Sequence, residues 1–362
     1  GIELARRVVG NIFVVIGVVM LLYGVFGAYF PDIISHAGDT FPYLCTSIFY
    51  KSDGVFGIMA NVLATYVILF VLFGAFLEKC GARRFFIDWP LAAVGHKIGG
   101  PAKVSVIASG LFGSISGSAI ANTVSTGAFT IPMMKKAGFR PHIAGGIEPA
   151  ASIGGMFMPP IMGAGGFIMA ELTGVPYSRI MLVAIFPAIM YFFSVFVMVH
   201  YEAKKHNIIG EKSEHSAMEI LKTQWVYILP LVVITIFMLS GYSTGFSAIL
   251  GLATCIAVSF KEEDTRIDLA FTVIMVIVLL GSFVNMSSDT TLISSNKLVA
   301  LGVIGYIVIV LFRKNRKERV GFELKRFVDA ARAGTESSLK IGATVGVIGI
   351  IIGVLTFSGL VL

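Results

Sequence analysis

Charge is scarce in this sequence. Only 14% of its 362 residues are Asp, Glu, Lys or Arg, against about 25% in a soluble domain. Cysteine is scarcer still. Cys45, Cys80 and Cys255 lie far apart with no CxxC or Cys/His spacing, which argues against a disulfide framework and a zinc site. HExxH, GxSxG and paired carboxylates are missing from the apolar runs, and Ser114, Ser116 and Ser118 lack a nearby basic partner. The chain therefore does not read as an enzyme. It carries no signal n-region or cleavage site. It opens on Gly1 and stops at Leu362 inside an apolar run, so both ends read as cut.

Apolar residues, by contrast, make up 56% of the chain, and the mean hydropathy is +0.88. The net charge of +7 reports topology and contact with the headgroups of a lipid bilayer rather than nucleic-acid binding. Runs long enough for a helix to cross a hydrocarbon core of about 30 Å fall at Val8–Ala28, Val55–Leu77, roughly Ile143–Ala170, Ile180–His200 and Trp225–Ser240. Others fall at roughly Phe246–Phe260, Ile267–Val284, Leu298–Phe312 and Leu339–Leu362. The expectation is an all-α integral membrane protein, a polytopic helical bundle of about nine spans.

One apolar stretch, Pro101–Met134, is too long for one helix and too short for two full spans. The distribution of basic residues decides how it runs. If it enters and leaves on the same side, only Lys51, Arg179 and Lys297 face away from the cytoplasm, as the positive-inside rule requires for short loops. The stretch is expected to be a re-entrant hairpin, with arms of about Pro101–Gly113 and Ala121–Met134. Its tip would be the polar run Ser114–Thr123. Backbone at that depth survives only where it is packed in protein or lines a wet cavity. Serine hydroxyls, the Asn122 side-chain oxygen and tip carbonyls are hard ligands of the kind a monovalent cation needs.

The following span is interrupted by Ala151–Pro160 (ASIGGMFMPP). Two adjacent prolines remove two amide donors, and the glycines admit non-helical backbone. Half-helices of this kind form ion and carboxylate sites in secondary transporters. Close packing explains small residues in membrane helices equally well at any single position, and a proline pair can be a simple kink. The two features in succession favour an ion or substrate site. Glu148 lies about 10 Å into its helix from Pro141. It either tunes an ion site or carries a proton, or else snorkels to the headgroups or caps a neighbouring helix. His142 reads as interfacial.

The stretches Phe73–Lys79 (FGAFLEK), Gly100–Val104 (GPAKV), Ser116–Thr123 (SGSAIANT), Glu148–Gly155 (EPAASIGG), Met158–Gly163 (MPPIMG) and Phe167–Glu171 (FIMAE) together resemble the large membrane subunit of tripartite ATP-independent periplasmic (TRAP) transporters. The likeness is to the fused permeases that work with TAXI-type binding proteins. It is close over residues 1 to 210 and looser beyond. The resemblance implies a permease of the bacterial inner membrane that imports an organic anion, typically a carboxylate. It further implies a sodium gradient as the driving force, delivery by a periplasmic TAXI-type substrate-binding protein, and an elevator-type mechanism. It places the sodium ion at Ser116, Ser118 and Asn122 with backbone oxygens around Gly154, Gly155, Met158, Pro159 and Pro160. Thr123, Glu148 and Ser152 tune the substrate or ion, and no organic cofactor is implied. The second hairpin and second broken helix of the family do not recur after residue 170. The chain is thus expected to be one half of an inverted-repeat transporter that would not transport alone. Scaffold-type helices would occupy 1–90, a transport-type region 91–175 and further scaffold helices 176–312. A cytoplasmic basic linker (313–338) would lead into the truncated start of a second repeat (339–362). The rivals are another ion-coupled anion symporter of related hairpin architecture and a membrane scaffold subunit with no site.

Overall fold

The structure, a computed structural model, describes residues 2–8, 10–210, 213, 215–261 and 317–360. Among them the fold is helical, and the one strand-like pairing is an isolated antiparallel bridge between Ile98 and Ile209. The chain divides into two compact units.

The first unit takes in Gly1–Val71, Ala164–Tyr177 and Thr335–Leu362. It contains α1 (Ile2–Val8), α2 (Asn11–Phe26), α3 (Phe41–Tyr50), α4 (Ile58–Val62) and the start of α5 (Ile68–Leu77). Tyr23, Leu44, Ile48, Ile350 and Val354 form its core, with Ile350 and Val354 contributed by the C-terminal helix, Lys317–Ser358. Gly24 makes this packing possible, because a Cβ there would come within 2.7 Å of Leu44 Cδ2.

The second unit takes in Leu72–Gly163 and Ser178–Gly334. It holds α6 (Arg83–Val94), α7 (Gly100–Ser116), α8 (Ala119–Lys136) and α9 (Pro141–Gly154). The helix α10 (Ala164–Thr173) returns to the first unit. Then come α11 (Tyr177–Lys205), α12 (Ala217–Gln224), α13 (Leu229–Leu239), α14 (Thr244–Val258) and the described part of α15 (Lys317–Ser358). The core of the second unit joins α7, α8, α9 and α11 through Ala102, Val106, Met134, Ala144, Ala151, Val199 and Ala203. Small residues at these crossings let helix backbones approach closely.

Among the described residues five helical segments are long and apolar enough to cross a membrane: Asn11–Tyr29, Ile58–Val94, Tyr177–Lys205, Ala217–Leu239 and Lys325–Ser358. Thr244–Val258 is apolar but shorter. The expected spans Ile267–Val284 and Leu298–Phe312 lie outside the described residues. The segment 313–338, expected as a linker, is helical from Lys317 onward and continuous with the apolar turns that follow.

The hairpin differs from the sequence expectation in one instructive way. The arms run to Ser116 and restart at Ala119, so the turn is Gly117–Ser118 and not the ten residues 114–123. Gly117 adopts φ 59°, the left-handed conformation open to glycine. Ser118 caps α8 by accepting the Ala121 amide on its hydroxyl. Polar residues flanking the turn stay helical because they bond to their own helix. Ser114 donates to the Leu111 carbonyl and Thr123 to the Ala119 carbonyl. Arms of 17 and 18 residues are each about 26 Å long at 1.5 Å per residue, longer than the sequence suggested.

Candidate functional site

The helix break also falls slightly later than expected. Ala151–Gly154 remain in α9, a single 3₁₀ turn covers Gly155–Phe157, and the chain is irregular from there to α10. The prolines Pro159 and Pro160 sit in this irregular stretch, joined by a cis peptide bond.

The break lies against the hairpin. Gly113 of α7 and Gly155 meet backbone to backbone, and a Cβ on Gly113 would stand 2.6 Å from the Gly155 Cα. At the turn, a Cβ on Gly117 would stand 2.8 Å from the Met162 carbonyl oxygen. The Ile161 amide donates to the Ser114 carbonyl at 3.3 Å. Within the loop, the Gly163 amide donates to the Met156 carbonyl at 2.5 Å. The structure thus brings the start of the expected tip, Ser114–Thr123, against the end of the expected break, Ala151–Pro160, and the three residues that follow it.

Not every expected ligand takes the same position. Ser116 and Ser118 are half-buried at the turn, with the Ser116 hydroxyl 3.5 Å from the Ser118 carbonyl oxygen. Met158, Pro159 and Pro160 are half-buried, and Gly154 and Gly155 are buried. Asn122 is buried between the arms, where its Nδ2 donates to the Ser109 carbonyl at 2.8 Å. That bond ties α8 to α7 and orients the Asn122 side chain away from the turn.

The densest polar constellation lies deeper, around Glu148. Its carboxylate is 0% exposed, so the snorkelling considered from the sequence does not occur. Ser109 donates to Oε1 and Thr130 to Oε2, each at 2.5 Å. Ser105 donates to Oε2 and Thr126 to Oε1. Ser152, one turn along α9, lies 3.4 Å from Oε1. Ser109 and Thr126 are themselves 3.0 Å apart. Three helices supply this cage, each through an i,i+4 pair: Ser105 and Ser109 from α7, Thr126 and Thr130 from α8, Glu148 and Ser152 from α9. Residues four apart share one helix face. A buried carboxylate needs its lone pairs filled, and four hydroxyls fill them here.

Sequence reasoning singled out Glu148 and Ser152 but missed Ser105, Ser109, Thr126 and Thr130. The available signal was hydroxyl residues at i,i+4 spacing in both hairpin arms. Thr123, expected beside the site, is half-buried and bonds to its own helix. His142 is exposed.

A family profile described as the tripartite ATP-independent periplasmic transporter, DctM component, matches residues 1–362. The chain is 28% identical over 169 residues to the 2,3-diketo-L-gulonate TRAP transporter large permease protein of Escherichia coli (46% of this chain, 39% of that protein). It is 26% identical over 201 residues to the sialic acid TRAP transporter large permease protein of Vibrio cholerae (55% and 47%). It is 28% identical over 166 residues to the C4-dicarboxylate TRAP transporter large permease protein of Pseudomonas aeruginosa (44% and 38%). The chain thus spans less than half the length of these relatives. With a profile match over its whole length and several membrane-length apolar helices, the chain belongs to the DctM component family of TRAP transporters, a family of transporter components and not of enzymes, and is a multi-pass inner-membrane protein.

Proposed function

We propose that the chain forms the hairpin-bearing part of a sodium-coupled secondary transporter that imports an organic anion. The anion is a carboxylate, delivered by a periplasmic binding protein of the TAXI type. The relatives carry the names of 2,3-diketo-L-gulonate, sialic acid and C4-dicarboxylate permeases, and each of these substrates bears a carboxylate. The hairpin dips into the bilayer from the cytoplasmic face and returns to it, and it moves as part of an elevator past the remaining helices.

The observation that carries this reading is the packing of the Gly117–Ser118 turn against the loop after the helix break. The Met162 carbonyl oxygen faces Gly117 there and the Ser116 and Ser118 hydroxyls stand at the turn, and such hard oxygens suit a bare monovalent cation. Half-helix ends at a membrane midplane serve this purpose in secondary transporters generally. Asn122 acts there by holding the two arms in register.

The test is uptake of labelled carboxylates into proteoliposomes by the complete permease with its binding protein, with and without a sodium gradient. Ser116→Ala combined with Ser118→Ala is expected to raise the sodium concentration for half-maximal uptake about tenfold, the effect of losing about 1.4 kcal/mol of ion binding. Uptake that needs neither sodium nor a binding protein would overturn the proposal.

A further inference from the structure

We infer that Glu148 is a reversible proton-binding site, a second ion site separate from the seam at the hairpin turn. The inference deepens the transporter reading and rests on it for its role in transport, but its chemistry stands on the cage alone.

The cage is closed on itself. Hydroxyls of Ser105, Ser109, Thr126 and Thr130 lie directly at hydrogen-bond distance from the carboxylate oxygens. A metal cation would have to stand between those oxygens and hold them apart. A proton fits without moving any of them.

Both protonation states can be satisfied by turning hydroxyls alone. In the ionised state, Ser105 and Thr130 donate to Oε2, and Ser109 and Thr126 donate to Oε1. Each hydroxyl has one hydrogen and spare acceptor capacity. When a proton adds to Oε2, the new O–H donates to the Thr130 oxygen. Thr130 then turns its hydrogen to the Thr126 carbonyl, 3.1 Å away. When the proton adds to Oε1, the acid donates to the Thr126 oxygen. Thr126 then turns to the Asn122 carbonyl, 2.8 Å away. One proton is gained, one negative charge is lost and no heavy-atom bond changes. The two backbone acceptors, ordinary i−4 carbonyls of the same helix, give the displaced hydrogens a place to go.

Among the described residues no cationic side chain pairs with or hydrogen-bonds to Glu148. Every hydrogen-bond partner of Glu148 among the described residues is a neutral hydroxyl. Of the titratable groups on the packed helices, Lys103 on α7 is turned to His200 on α11, with Nζ 3.0 Å from Nδ1. Tyr191 on α11 donates to the Ala150 carbonyl, and Glu202 on α11 pairs with Arg140. Lys135 and Lys136 close α8, His142 lies in the first turn of α9, and Arg179, Tyr177, Tyr201, Lys204 and Lys205 lie toward the ends of α11. The net charge of the cage is therefore set by the Glu148 proton itself. Because the cage joins both hairpin arms and the half-helix leading to the break, protonation acts on all three elements at once.

The direct test is infrared difference spectroscopy of the purified complete permease in sodium-free buffer, titrated between about pH 5 and about pH 9. The carbonyl stretch of a protonated carboxylic acid is expected at the acid end, to disappear toward the alkaline end, and to be absent throughout in Glu148→Gln. Thr130→Val, which removes one donor to the carboxylate and leaves the Glu148 side chain in place, should keep the band and serves as a control on folding. A Glu148 signal that stays carboxylate, or stays acid, over the whole range would overturn the inference. In the complete permease, Glu148→Gln is expected to abolish the stimulation of uptake by an inward proton gradient. Sodium-driven uptake with no infrared titration would sink the proton site alone. A titrating band with no sodium-driven uptake would sink the sodium reading alone.

Discussion

Two helices of the second unit, α7 and α11, are both membrane-length or nearly so, yet they solve opposite problems. In α7 every residue except Ile107, Leu111 and Ser116 is buried. Its Ser105 and Ser109 hydroxyls point into the Glu148 cage, and its Gly113 meets the Gly155 backbone. Over its middle turns α11 leaves Leu182, Val183, Phe186, Ile189, Met190 and Phe193 exposed, with Phe186 at 72%. Such a bare apolar surface is compatible only with lipid or another apolar partner. Specificity is concentrated where protein covers the helix, and tolerance is concentrated where hydrocarbon does.

That contrast can be broken by substitution, starting from the enclosed side. Gly155→Ala should have the largest effect. Its new Cβ would collide with the Gly113 backbone, which has no flexible end to yield, at a cost of about 3 kcal/mol in detergent unfolding titrations. Asn122→Ala should cost about 1 kcal/mol, because the Ser109 carbonyl keeps its helical donor and loses only the Asn122 amide that ties α8 to α7. Phe186→Ala on α11 should shift the unfolding midpoint by no more than about 0.5 kcal/mol. If Phe186→Ala proved as damaging as Gly155→Ala, α11 would have a protein partner on that face.

The sequence made some features readable and concealed others for identifiable reasons. The apolar runs at 11–26 and 177–205 announce their helices because lipid-facing composition is blunt and continuous. That Pro101–Met134 folds back on itself was legible from its length, and its contact with the 155–163 loop from the paired Gly/Ser and Gly/Pro interruptions. The extent of its turn was not legible. Ser114 and Thr123 look like loop residues by type, and only the structure shows their hydroxyls returning to carbonyls of their own helices. The cage around Glu148 was half visible. A lone acidic residue in an apolar helix draws notice, but Ser105, Ser109, Thr126 and Thr130 become partners only once three helices converge. The short helices α3 and α12 went unread because neither is long enough to give a periodic signal.

The reversal at Gly117–Ser118 has a mechanical corollary. Since the chain turns back within two residues, both arms are rooted at the same end, where the Gly99 amide donates to the Ile208 carbonyl at 2.9 Å and Phe139 packs beside Ile208. The pair is held at this base and again at the turn, against the 155–163 loop. With arms about 26 Å long, a tilt of about five degrees at the base would carry the turn, and the loop packed on it, by about 2 Å, a displacement comparable to the radius of a small ion's ligand shell.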